Sequence, residues 1–159
     1  MNEMLLRHAS EEARHALFFK TMARREAGLE SDFAPDSLLC GSSANRYIQS
    51  LDSAVSRRIG PGLGFHCYLL TTYLIEVRAG SVYPLYQEIL SRAGSSISLR
   101  SIILEEDGHL AEMREEMNRR GLDVEAELLA PVEEVLFARF LDRLAAACQM
   151  RTNVPVSVF

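Results

Sequence analysis

Several residue types and patterns are scarce in this sequence. It has no tryptophan, only three cysteines, and a single lysine among its 17 basic residues. Three scattered thiols without a Cys-x-x-Cys pair do not form a disulfide framework and are typical of a reducing compartment. The longest apolar run, from Gly62 to Ile75, is too short to cross a bilayer. We therefore expect a cytoplasmic protein that does not enter a membrane.

A concentration of positive charge is also missing. The formal net charge is −5, and the 17 basic residues form no cluster or helical stripe. Direct binding to nucleic acid is therefore not expected. The sequence also contains no flavin, nicotinamide or iron–sulfur motif, so any redox reaction would need an external electron donor.

Alternating strand patterns are absent as well, and apolar residues recur with a helical period almost throughout. At 159 residues the chain suits one domain, and no linker divides it. We predict an all-α fold without a β-sheet, forming a single domain over residues 1–159. The predicted helices are about 2–27, 44–59, 63–92, 97–120 and 131–150. Pro131 is placed in the first turn of the last helix, and the tail from residue 152 is predicted to be extended.

One short pattern occurs twice in the chain. Residues 11–15 read EEARH and residues 105–109 read EEDGH, so each copy is a Glu-x-x-His with a second acid ahead of it. A Glu and a His three residues apart lie on one side of a helix and can bind the same cation. Two such helices that face each other would hold two metal ions. The pairs are Glu12 with His15 and Glu106 with His109.

The candidate ligands lie on apolar faces of their helices. His8, Glu12 and His15 share a stripe with Phe19 and Met22, and Glu106 and His109 share one with Leu99, Ile102 and Met113. Glu76 lies in the apolar third helix. Several ionisable groups directed into one core need a shared counter-charge, and iron or manganese suits mixed carboxylate and imidazole ligands. The alternative is that each Glu-x-x-His is a solvated surface pair.

Further residues near the two motifs have open interpretations. Glu11 and Glu105 lie at the edge of the stripe, where each could accept the second N–H of a histidine on the facing helix. His8 is either an extra ligand or a core histidine. Tyr73 and Tyr83 are either redox partners or ordinary packing residues. Gly80, one turn after Glu76, either leaves room for a substrate or allows a close helix contact.

The order Glu-x-x-His, Glu, Glu-x-x-His resembles that of the ferritin-like di-iron carboxylate superfamily, over about residues 1–120. The resemblance implies that Glu12, His15, Glu76, Glu106 and His109 are metal ligands. It also implies a ferritin-like antiparallel helical bundle with additional helices, and two iron ions or a mixed Fe/Mn pair. Glu12 precedes Glu76 by 64 residues, and Glu76 precedes Glu106 by 30. These spacings are similar to those of the oxygenase and hydroxylase branches.

The resemblance is incomplete on the N-terminal side. It implies another Glu-bearing helix about 30 residues before Glu12, which this sequence does not contain. Glu3 does not replace that ligand, since it lies on the opposite side of the helix from Glu12. A truncated sequence, a misassigned start, a helix donated by a partner and an incomplete metal position all remain open. We expect a homodimer or a helix-donating partner.

The function expected from the residues and the resemblance is that of a di-iron oxidoreductase. It would activate O₂ to oxidise or hydroxylate a small organic substrate, with electrons from an external donor. Two alternatives remain open. One is an iron-handling protein that oxidises Fe(II) or removes peroxide. The other is a metal-poor structural subunit.

Overall fold

The computed structural model describes residues 3–27 and 38–152, which contain five α-helices and no β-strand. The predicted all-α helical bundle is thereby confirmed. The helices are α1 (Glu3–Ala27), α2 (Gly41–Ile59), α3 (Gly64–Arg92), α4 (Arg100–Arg120) and α5 (Asp123–Thr152). In this part of the chain no helix is both long enough and apolar enough to span a membrane.

Four of the five predicted helices match the structure to within about three residues. The fifth prediction was wrong at its start, because α5 begins at Asp123 rather than near Pro131. Acidic residues in its first turn, Asp123 and Glu125, favour helix initiation there through the helix dipole. Pro131 instead lies inside α5, where it cannot donate the backbone hydrogen bond of its turn. Thr152 ends this helix, and the rest of the predicted extended tail lies outside the described residues.

Two of the predicted helix ends share one backbone geometry. Gly94 and Gly121 follow α3 and α4 with φ angles of 67° and 66°, in the left-handed region that favours glycine. After each glycine, the next backbone N–H donates to the carbonyl five residues earlier. Ser95 N donates to Leu90 O, and Leu122 N to Met117 O, both at 3.0 Å. These bonds satisfy carbonyls that the helix ends would otherwise leave unpaired.

The described residues form two compact units. The first unit contains α1 and residues 75–115, and the second contains residues 38–74 and 116–152. Each unit therefore combines segments that are distant in the sequence. That residues 1–159 form a single domain remains a prediction.

A small apolar core lies within the first unit. Leu90, Leu99 and Ile102 are buried, with exposed fractions of 9% or less, and join the end of α3 to the start of α4. Partly buried side chains pack around them, namely Phe18, Phe19, Tyr83, Ile97 and Ile103. The α1 stripe and the α4 stripe predicted from the sequence thus meet in one core.

The core of the second unit is built largely by α2 and α5. Tyr47, Leu51 and Val55 are buried on one face of α2, as the helical period predicts. The Tyr47 hydroxyl donates a hydrogen bond of 2.6 Å to Glu133 on α5, and both side chains are buried. Glu116 is also buried, with ion pairs to Arg119 and Arg120.

Candidate metal centre

All five predicted ligands belong to the first unit. Glu12 and His15 lie on α1, Glu76 lies on α3, and Glu106 and His109 lie on α4. His15, Glu76, Glu106 and His109 each have 5% or less of their surface exposed. The Glu12 side chain differs, because 51% of it is exposed. It lies at the edge of the buried face rather than inside it as the helical projection predicted.

Four of these residues bring their ligand atoms into one small volume. One oxygen or nitrogen atom from each of Glu12, Glu76, Glu106 and His109 lies within 4.8 Å of the others. His15 flanks this group, with its Nδ1 atom 3.1 Å from Glu106 Oε1 and 3.7 Å from Glu12 Oε1. The ligand atoms around one metal ion lie a few ångströms apart, so the spacing of these atoms suits a bound cation.

Glu106 lies between the two histidines. Its Oε1 atom is 3.1 Å from His15 Nδ1, and its Oε2 atom is 3.1 Å from His109 Nδ1. Each carboxylate oxygen therefore faces a different imidazole. The ring centroids of the two histidines are 6.4 Å apart. Glu106 can therefore share a proton or a cation with either imidazole.

Glu11 and Glu105, the acids directly before each Glu-x-x-His, lie within hydrogen-bond distance of the Nε2 atom of the histidine on the other helix. His15 Nε2 lies 2.9 Å from Glu105 on α4, and His109 Nε2 lies 2.7 Å from Glu11 on α1. An N–H donated to each of these carboxylates leaves the lone pair on Nδ1, which points towards Glu106. The predicted role of Glu11 and Glu105 matches this geometry, and the exchange between helices is reciprocal.

Two arginines of α1 contribute to the surroundings in a way that the sequence did not show. Arg14 donates a 2.7 Å hydrogen bond to Glu105, and Arg7 forms an ion pair with Glu112. The hydrogen bond from His15 and the nearby Arg14 guanidinium lower the pKa of Glu105. Only the packing of α1 against α4 brings these partners together, so no local pattern signals them.

Burial and like charge crowd the inner carboxylates. Desolvation, a hydrogen bond with Glu106 and the negative charges of Glu106 and Glu12 raise the pKa of Glu76 to about 9. Desolvation and the charge of Glu106 also raise the pKa of Glu12, one oxygen of which lies near the other acids although its side chain is half exposed. Without a cation, Glu76 therefore holds a proton at neutral pH. A metal ion would take the place of that proton.

The three residues proposed as redox or pocket residues are placed differently from one another. Tyr83 is partly buried. This burial, together with the negative charges of Glu106, Glu12 and Glu76, raises the pKa of its hydroxyl to about 12. Tyr73 belongs to the second unit, which does not contain the ligands. A Cβ atom added to Gly80 would lie 3.7 Å from Leu110, an ordinary contact. The position of Gly80 therefore does not require a glycine.

His8 packs against one of the ligand histidines. It is 2% exposed, and its ring centroid is 4.4 Å from that of His109. Its Nε2 atom is buried without a hydrogen-bond partner. Burial and the neighbouring His109 lower its pKa. His8 is not among the four residues whose ligand atoms converge, and its contact with the site is through the His109 ring.

The chemistry of the donor set fits divalent first-row metal ions. Besides the four converging side chains, His15 Nδ1 is buried and has no hydrogen-bond partner, although two carboxylates are nearby. A buried lone pair directed at acceptor oxygens is unfavourable unless a proton or cation lies between them.

Comparisons with models of known protein families, with curated proteins and with solved structures found no match.

Proposed function

We propose that the first unit is a carboxylate-bridged site for two iron ions, or for an iron and a manganese ion, that activates O₂. The observation that carries this proposal is the placement of Glu106 between two imidazole Nδ1 atoms, each 3.1 Å from a different oxygen. The product would be an oxidised or hydroxylated small organic molecule. The electrons that reduce the metals come from an external donor in this proposal.

Each residue has a distinct part in holding the ions. Glu12, Glu76, Glu106 and His109, whose ligand atoms converge, would hold one ion. His15, with Nδ1 3.1 Å from Glu106 and 3.7 Å from Glu12, would hold the second together with these two carboxylates. The absence of a thiol among these residues favours iron or manganese over the thiolate-rich sites of structural zinc.

The surrounding residues orient the ligands and limit water. Glu11 and Glu105 hold the imidazole rings by their Nε2–H groups. Leu99, just before α4, and Ile102 on α4 belong to the buried apolar core of the same unit. Tyr83 keeps its phenolic proton at neutral pH and can donate a hydrogen bond on the acidic side of the site. When bound, the metal ions supply the redox chemistry and the binding of O₂.

The proposal includes a second copy of the chain that covers the open side of α1. Leu6 and Leu17 are 53% and 63% exposed, and they lie with Ala13 on one stripe, on the face of α1 opposite His8 and His15. Exposed apolar stripes of this kind are common at contacts between proteins. Light scattering should show a dimer, or a larger complex with a helix-donating partner. A monodisperse monomer at micromolar concentration would contradict this part.

Metal loading tests the proposed centre directly. Anaerobic addition of Fe(II) to protein treated with a chelator should give about two iron ions per chain, and exposure to air should produce a new near-ultraviolet band. The double variant Glu12→Ala/Glu106→Ala should bind no more iron than a protein without the site. If wild-type and variant take up the same amount, the proposal is wrong.

The carboxylates that hold the histidines are expected to affect metal affinity without being ligands. Glu105→Gln removes the charge that accepts the His15 N–H, so the affinity for metal should fall about 10–100-fold. Glu112→Gln is the matched control, because Glu112 pairs with Arg7 across the same two helices but has no hydrogen bond to a histidine. Competition with a fluorescent chelator measures both affinities. Equal losses in the two variants would mean that only the packing of the helices matters.

The exposure of Glu12 favours a second candidate, namely oxidation of Fe(II) or removal of peroxide. A ligand that is 51% exposed gives small ions and peroxide direct access to the centre. This reaction needs no organic substrate, so Fe(II) oxidation would proceed with iron and oxidant alone. Sustained turnover that requires both an electron donor and an organic compound would favour the oxygenase instead.

A further inference from the structure

Three exposed arginines of the second unit line one small surface cavity, and no partner for them lies in the described part of the chain. Arg46 lies on α2, and Arg139 and Arg143 lie one turn apart on α5. Among the described residues, none of the three guanidinium groups makes a hydrogen bond or an ion pair, although Asp142 lies on the same helix. Like charges one turn apart destabilise a helix slightly unless an anion compensates them. The chain as a whole carries a net charge of −5, whereas the residues that line this cavity include three arginines and no acid.

The other groups that line this cavity also favour an anion. Ser43 and Ser50 contribute hydroxyl groups that can donate hydrogen bonds. Ser43 lies in the first turn of α2, where the helix dipole is positive. The backbone N–H of Ser43 itself donates to the Cys40 carbonyl, so only the Ser43 hydroxyl is available from this turn. The cavity thus combines three guanidinium groups and two hydroxyls.

The size of the cavity limits the ligand to a small group. Its volume is about 100 Å³, below the several hundred Å³ typical of sites for drug-sized molecules. Tyr47 and Phe140, whose rings stack at 6.1 Å, form part of its wall. Three guanidinium groups match the terminal oxygens of a phosphoryl group better than those of a single carboxylate, because each can bind two oxygens at once.

A larger cavity adjoins this one and provides room for the rest of a ligand. It has a volume of about 430 Å³ and shares Arg46, Ser50 and Leu136 with the smaller cavity. Its other walls include Ala54, Val132 and Arg57, a mixed polar and apolar surface between α2 and α5. A ligand with an anionic head and a small organic tail therefore fits the two cavities together.

We infer that the cleft between α2 and α5 binds a small phosphate monoester, with the phosphoryl group among Arg46, Arg139 and Arg143 and the organic part in the adjoining cavity. This site belongs to the second unit and does not depend on the metal centre proposed for the first. A chain that loses iron binding would keep it. The two proposals can therefore fail separately.

Binding of inorganic phosphate and of ribose 5-phosphate tests the inference. Calorimetric titration at fixed ionic strength should show both ligands binding, with the ester at least about tenfold tighter, a difference of about 1.4 kcal/mol. In the Arg139→Gln/Arg143→Gln variant, both affinities should fall at least about tenfold. Arg114→Gln is the control, because Arg114 is exposed on α4 and does not line the cavity.

A second variant separates the two cavities. Val132→Trp places a large side chain in the adjoining cavity, so it should weaken the ester but leave inorganic phosphate unaffected. Circular dichroism of each variant without phosphate establishes that it is folded. The inference is overturned if folded wild-type protein binds neither ligand, or if the double arginine variant binds both as wild-type does. An ester that binds no tighter than phosphate overturns the assignment of the tail.

Discussion

Glu106→Gln is expected to abolish metal binding at both positions of the proposed centre. The two oxygens of Glu106 face different histidines at 3.1 Å, so a neutral amide in its place removes one anionic ligand from each ion. An amide nitrogen also directs hydrogen atoms at one of the imidazole lone pairs. The affinity for Fe(II) should fall at least about 100-fold, equivalent to about 2.7 kcal/mol, and the stoichiometry should approach zero.

Two other variants make this expectation specific to the bridge. Glu12→Gln alters a ligand that is half exposed, so it should reduce affinity less than Glu106→Gln does. Glu115→Gln changes an exposed acid elsewhere on α4 and should leave binding unchanged. Metal analysis after dialysis, together with chelator competition, gives the stoichiometry and the affinity of each. Retention of one tightly bound ion in Glu106→Gln would show that Glu106 is not a bridge.

Glu76→Gln is expected to stabilise the metal-free protein while weakening its affinity for metal. The folded pKa of Glu76, about 9, lies above its unfolded value of 4.5. Its stabilising contribution is therefore complete below pH 4.5 and is lost as the pH rises towards 9, by up to about 1.4 kcal/mol per pH unit. Glutamine keeps the shape and the hydrogen bond of the protonated acid but does not ionise, so this loss should disappear.

Urea unfolding between pH 5 and 9, in the presence of a chelator, measures this difference. The free energy of unfolding of wild-type protein should fall with pH more steeply than that of Glu76→Gln, with the largest gap at the alkaline end. After Fe(II) is added, the order should reverse, because only wild-type gains the full binding free energy. Identical slopes in the chelated proteins would mean that Glu76 does not carry the buried proton.

Buried acids such as Glu76 destabilise the metal-free protein, and the helical period of the sequence shows which acids lie on apolar faces. Carboxylates inside apolar stripes are costly without a partner, so their recurrence in two helices and near Glu76 pointed to a shared cation. Burial of Glu76, Glu106, His15 and His109 matches that expectation. The position of Glu12 does not, because a projection of one helix contains no information on which side the neighbouring helices leave open.

The boundaries of the helices illustrate the same limit. Glycines at the ends of α3 and α4 are local signals, since the left-handed backbone that terminates each helix favours glycine regardless of packing. The start of α5 was missed because Pro131 is also a frequent residue in a first turn, and the sequence does not distinguish that role from a position inside a helix.

The sequence by itself determined the all-α class, the repeated Glu-x-x-His and the identity of the residues that meet near Glu106. These follow from helical periodicity, which is a property of consecutive residues. The tertiary structure alone decided that Glu11 binds His109 while Glu105 binds His15, and that Arg14 supports the second of these pairs. It also decided that arginines of α2 and α5 line one cavity. Such contacts depend on the register between helices far apart in the chain, which packing sets and no local pattern records.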